Sequence, residues 1–190
     1  MGYYVLRYGE INITFQSKKM TILDFIHNIQ LFFLIIKAKS KNALIIYDID
    51  NTVAITYKNI SKDGKINFST LEAYSLMLKK IQTELDKKNN LILFFTVRPL
   101  SSWFVTLNWL KKYSLLESNI NLLLCNKPIN KIDLIRKIKK YTSIDIEFID
   151  DMSYNHENDK IKFYDYEIEQ IKKLNIKYLG YNEIQKIVNT

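Results

Sequence analysis

From Ala43 to Thr52 the chain reads A-L-I-I-Y-D-I-D-N-T, an unbroken apolar run that stops at two acids spaced i, i+2. Five residues with no polar interruption predict a strand covered on both faces, as in a parallel sheet, since a half-exposed strand would alternate. Asp48 and Asp50 then fall at its C-terminal end, the edge at which open α/β sheets bind ligands. Side chains i and i+2 of an extended chain turn the same way, so the two carboxylates converge. Such a pair repels unless a cation or a shared proton relieves it.

The same theme recurs along the chain. Leu91–Thr96 (L-I-L-F-F-T), Ile120–Cys125, Ile144–Ile149 and, more weakly, Ile176–Leu179 read as further buried strands. Between them lie helical patterns: Thr70–Lys88, carried by Leu71, Tyr74, Leu78, Ile81 and Leu85, then Trp103–Tyr113, Lys131–Tyr141, Tyr166–Leu174 and a short helix from Asn182. Strands alternating with helices predict a Rossmann-like three-layer α/β/α sandwich, with a central parallel sheet and right-handed crossovers. Val53–Ser69 is polar and irregular around Asp63-Gly64, which predicts a flap or hairpin.

A chain of 190 residues fits one domain. Its organisation reads as a catalytic core over residues 41–190 behind an N-terminal extension, residues 1–40, made of a hairpin around Gly9 and a helix over 21–38 capped by Thr21. That extension is a candidate for homo-oligomer contact or for closing a cleft. Its apolar stretch, Phe25–Ile36, is interrupted by His27, Asn28 and Gln30 and falls short of the ~20 residues a membrane span requires. With a single cysteine, Cys125, and no secretory leader pattern, the chain reads as a reduced, cytoplasmic protein.

The net charge of +8 raises the question of nucleic acid. Only Arg7, Arg98 and Arg136 are arginines, however, and the lysine pairs are scattered through every segment instead of forming one stripe. A solvated surface accounts for most of this charge. Glycine occurs only at 2, 9, 64 and 180, which excludes both the dinucleotide-binding fingerprint and the P-loop.

Four successive strand ends present Asp48/Asp50, Thr96, Lys127 and Asp150/Asp151. In a parallel sheet all four open on one edge. Carboxylates gathered there call for a hard cation with oxygen ligands, and Mg2+ fits better than zinc, for which the chain offers one Cys and two separated His, His27 and His156.

Taken in order, D-I-D-N-T, L-F-F-T, N-K-P and F-I-D-D resemble motifs one to four of the haloacid dehalogenase-like superfamily of aspartate-nucleophile phosphatases, over residues 43–151. The resemblance implies that Asp48 is the nucleophile and Asp50 the general acid/base, for which a raised pKa would help. It implies that Thr96 and Lys127 hold the transferring phosphoryl group, with Lys131 as the neighbouring alternative to Lys127. Asp150 and Asp151 would complete an Mg2+ site with Asp48 and the main-chain carbonyl of Asp50. Arg98 and Asn51 are candidate substrate contacts, an ion pair being the alternative for Arg98. A receiver domain gathers similar residues, but its lysine would follow the second acidic group, whereas Lys127 precedes Asp150/Asp151.

The 43 residues between Thr52 and Thr96 hold a flap, a helix and a strand, leaving no room for a large cap. A capless member leaves its cleft open. The expected substrate is a phosphorylated small metabolite, a sugar or nucleotide phosphate. The alternatives are a polynucleotide 3′-phosphatase or other macromolecular phosphatase, and a non-catalytic phosphate-binding module.

Overall fold

The computed structural model describes the backbone of residues 3–8, 11–16, 22–60, 66–116, 121–156 and 160–189, and side chains from residue 26 onward within those ranges. The expected turns at Gly9 and Asp63-Gly64 and the cap at Thr21 lie outside the described residues. Strands β1 (Tyr3–Tyr8) and β2 (Ile11–Gln16) pair antiparallel, as the alternation around Gly9 predicts. Helix α1 follows at Ile22–Ala38. The chain then runs β3 (Ala43–Tyr47), α2 (Ser75–Asp86), β4 (Asn90–Val97), α3 (Trp103–Lys112), β5 (Leu122–Cys125), α4 (Pro128–Tyr141) and β6 (Asp145–Ile149). After β6 come a short antiparallel pair, β7 (Ser153–Tyr154) and β8 (Lys162–Phe163), then α5 (Asp165–Lys172), β9 (Lys177–Leu179) and α6 (Tyr181–Val188).

Five strands form one parallel sheet in the order β5-β4-β3-β6-β9. Their apolar runs are buried on both faces, as an uninterrupted pattern requires. Leu44 and Ile46 of β3 face one cluster, with Leu34 and Ile35 of α1, Ile135 of α4 and Ile171 of α5. Ile45 and Tyr47 face the other, with Ile81 of α2, Trp109 of α3 and Ile184 of α6. The result is a three-layer α/β/α sandwich without a large cap.

Helix α1 belongs to one of those layers. It also covers the outer edge of β5: His27 Nε2 contacts the Leu124 carbonyl and Gln30 Nε2 donates to that of Leu122 at 3.2 Å. A polar interruption that looks out of place in an apolar helix thus satisfies strand carbonyls that have no strand neighbour. Among the described residues no helix is long and apolar enough to cross a membrane.

Two boundaries differ from the sequence pattern for physical reasons. The periodicity at Thr70–Lys88 yields a helix only from Ser75, because residues 72–74 pair instead with 53–55: Ala73 bridges Ala54, Ile55 N donates to the Glu72 carbonyl and Tyr74 N to that of Val53. Leu71 is buried all the same, and its carbonyl accepts the Trp109 indole N–H at 2.8 Å. Helix α4 begins at Pro128, three residues before the expected Lys131, since proline is pre-organised for the first helical position.

Candidate active site

The chain enters the sheet at β3, winds outward through β4 and β5, then returns to the other side of β3 as β6. Helices α2 and α3 lie on one face, α4 and α5 on the other, so the winding reverses between β3 and β6. The carboxyl ends of the strands flanking such a reversal form a crevice that neither connection covers. Asp48 and Asp50 follow β3 into it, and Asp150 and Asp151 follow β6.

Asp48, Asp150 and Asp151 are all buried, at 5%, 2% and 3% exposure, and each offers an oxygen within 4.8 Å of the others. Lys131 lies among them. Its ammonium donates to Asp48 Oδ1 at 2.5 Å and to Asp150 Oδ2 at 2.7 Å. Asp150 Oδ1 accepts the Met152 N–H at 2.9 Å. Asp151 takes the Thr52 hydroxyl on Oδ1 at 3.2 Å and the Ser153 hydroxyl on Oδ2. His156 Nε2 is 3.2 Å from the same Oδ2 and 2.6 Å from Ser153 Oγ.

Burial pushes Asp48 well above the usual carboxylate range; Lys131 opposes the shift, and repulsion from Asp150, Asp50 and Asp151 adds to it. Burial likewise raises Asp150 against the pull of Lys131, with Asp151 contributing. The Lys131 ammonium, which burial alone would neutralise, is held charged by Asp150 and Asp48. Three buried carboxylates therefore face one ammonium. A cation bound by hard oxygens would offset their mutual repulsion, so the donor set fits a metal ion.

The structure brings Lys131, not Lys127, into the acidic cluster. Lys127 is the exposed residue preceding α4, and its carbonyl contacts Cys125 Sγ at 3.4 Å. Starting the helix at Pro128 places Lys131 in its first turn, on the buried stripe shared with Ile135 and Ile138. That i, i+4, i+7 spacing was the signal available in the sequence.

Asp50 departs further from expectation. Its Oδ1 accepts from Thr56 Oγ1 at 2.7 Å and Arg98 Nη2 at 2.7 Å; its Oδ2 accepts from Thr96 Oγ1 at 3.0 Å and Arg98 Nε at 2.8 Å. Burial alone would raise this carboxyl, but the Arg98 guanidinium and the bonds from Arg98, Thr56 and Thr96 outweigh it and hold Asp50 below the usual range. The expected raised pKa is therefore reversed. Thr96, fully buried, gives its hydroxyl to Asp50. Arg98 lines the cleft as a buried ion pair with Asp50, not a surface one: Nη1 donates to the Thr106 hydroxyl at 3.0 Å and the guanidinium carbon lies 4.1 Å from the centroid of the Phe68 ring. Asn51 takes the left-handed conformation of the turn after β3, at φ 57°, and its side-chain carbonyl accepts the Tyr57 N–H at 3.0 Å.

Replacing Arg98 with methionine leaves Asp50 only its two hydroxyl donors. A carboxyl held low contributes stability above its unfolded-state value, and that stability is lost as pH falls through the folded value. In Arg98→Met the loss is expected to begin at a higher pH, read as an upward shift of the acid-unfolding midpoint by circular dichroism. An unmoved midpoint would show that the guanidinium does not keep Asp50 ionised.

Above the acids opens a cleft of about 280 Å³. Its walls come from the flap, through Tyr57, Ile60, Ile66 and Phe68, and from the β7–β8 segment, through Tyr154, His156 and Tyr164. Tyr57 stacks on His156 with centroids 5.9 Å apart and planes 28° from parallel, joining the two walls. This β7–β8 wall was not legible as structure, because its strands are two residues each. No protein-family model matches the chain, and no curated protein matches it either.

Proposed function

We propose that the chain is a Mg2+-dependent phosphomonoester hydrolase that works through an aspartyl-phosphate, a covalent acyl phosphate of Asp48. The observation carrying this reading is the buried cluster of Asp48, Asp150 and Asp151 around Lys131, at the bottom of a cleft between the carboxyl ends of β3 and β6. Buried acids in excess of their counter-charge are costly to a fold, and they are found where a cation and a charged substrate are handled.

Asp48, Asp150 and Asp151, with the main-chain carbonyl of Asp50, would hold the metal, which when bound neutralises phosphoryl charge as a Lewis acid. The Lys131 ammonium adds positive charge beside the nucleophile and opposes the upward shift that burial imposes on Asp48. A carboxylate oxygen of Asp48 forms a bond to phosphorus as the bond to the leaving oxygen breaks. Water then attacks the same phosphorus, releasing inorganic phosphate and restoring the carboxylate. Asp50, held low by its four hydrogen bonds, would take a proton from that water and give one to a basic leaving oxygen, and either transfer first requires Arg98 to loosen its grip. A phenolate leaves without that proton.

The test is phosphate release from p-nitrophenyl phosphate, with Mg2+ and with EDTA. Mg2+-dependent turnover is expected. So is thermal stabilisation by Mg2+, worth about 2.7 kcal/mol at a hundred times its Kd. Absence of turnover from aryl, sugar and nucleotide phosphates alike would overturn the proposal.

A further inference from the structure

The walls of the cleft differ in chemistry from its floor. The short polar side chains along them are already engaged within the protein: Asn51 accepts from Tyr57 N, Thr56 donates to Asp50, Ser153 to Asp151, and Asn155 to the Lys160 carbonyl. Between them stand rings and aliphatic groups. Tyr57 and Phe68 come from the flap; Tyr154, His156 and Tyr164 come from the β7–β8 segment. Tyr154 and Tyr164 pack with centroids 4.8 Å apart, and Tyr154 is still 41% exposed.

Such walls discriminate between phosphate esters. A hexose leaving group carries more hydroxyls than a nucleoside and no flat face; each hydroxyl loses its water on entry and needs a partner that engaged side chains do not readily supply. A flat heteroaromatic ring buries two apolar faces against aromatic side chains without that loss. The cleft volume, about 280 Å³, is at the lower end of the range for small-molecule sites and suits one such unit above the floor.

We infer that the leaving group is a nucleoside: the phosphoryl group of a nucleoside monophosphate rests on the acidic floor while its base stacks against Tyr57 and Tyr154. This rests on the phosphatase reading for the floor. The nucleotide is either free or the terminal unit of a strand, since both present a phosphate on a pentose that carries a base.

The test compares kcat/KM for AMP, UMP, glycerol phosphate, a phosphotyrosine peptide and a 3′-phosphorylated oligonucleotide, for wild type and for Tyr154→Leu, which keeps apolar area but loses the ring. Nucleotides are expected to lead. The ratio of AMP to glycerol phosphate is expected to fall about tenfold in the variant, the low end of what one stacked base contributes. Preference for the mononucleotide, or for the oligonucleotide, each supports the inference and names the source. A lead for glycerol phosphate or for the peptide, or an unchanged ratio, overturns it while leaving the phosphatase reading in place. Calorimetry of AMP with Asp48→Asn separates the two proposals: binding without turnover of any ester by wild type would support the nucleoside site alone, and undetectable binding at millimolar AMP would count against it.

Discussion

Asp48→Asn is expected to lower Mg2+-dependent phosphate release by at least about 10³-fold, the scale seen when a covalent nucleophile is removed. The substitution keeps shape and volume. It also keeps Lys131 paired, because Asp150 remains 2.7 Å from the ammonium. Removing one of three buried carboxylates relieves repulsion, so the apo variant is expected to melt no lower than wild type. A folded protein without activity separates the loss of a nucleophile from the loss of a fold. Asp48 would also ligate the metal, so Mg2+ is expected to stabilise this variant less than wild type. Acid quenching during turnover distinguishes the two roles: wild type should yield an acid-stable, hydroxylamine-labile phosphoryl protein and the variant none. Undiminished activity in Asp48→Asn would remove it as nucleophile.

Lys131→Met is the second large effect, and it reads first as instability. The lysine side chain is 3% exposed and, among the described residues, is the one cation bonded to both Asp48 and Asp150. Breaking a buried pair from one side leaves uncompensated charge and costs about 3–5 kcal/mol. The loss is expected in EDTA by chemical denaturation and should be partly recovered with Mg2+, which restores positive charge to the same oxygens. Lys127→Met, by contrast, removes an exposed side chain and is expected to stay within about 0.5 kcal/mol of wild type. Activity should follow the same division. If Lys127→Met lost phosphate release while Lys131→Met retained it, the assignment of the two lysines would reverse.

The layers of this fold were legible because the pattern that encodes them is local. Runs such as Leu44–Tyr47 and Leu91–Phe95 are buried on both faces, and an unbroken apolar stretch says so directly. The four strand ends could be placed on one edge for the same reason. What failed depended on partners distant in sequence. Arg98 and Thr96 meet Asp50 across 48 and 46 residues, and no periodicity reports which rotamer turns a guanidinium onto a carboxylate instead of into a cleft. Thr96, which the resemblance assigns to the phosphoryl group, is fully buried and gives its hydroxyl to Asp50. Residues 72–74 carried helical spacing but were drawn into pairing with 53–55, a tertiary contact that overrides propensity. The lysine was the exception. Lys131 shares a stripe with Ile135 and Ile138, and the proline three residues before it marks the helix start.

The central position of β3 also bears on how the protein comes into being. One neighbour, β4, follows it closely, but the other, β6, pairs with it across about a hundred residues, the separation of Thr52 from Asp151. At ribosomal speeds of about 5–20 residues per second, that gap lasts roughly 5–20 s. Throughout it, β3 has one edge unpaired and Asp48 lacks Asp150, while Lys131 joins the chain only 19 residues ahead of Asp150. The three-carboxylate site is therefore completed late, when β6, the last of the central strands, docks beside β3.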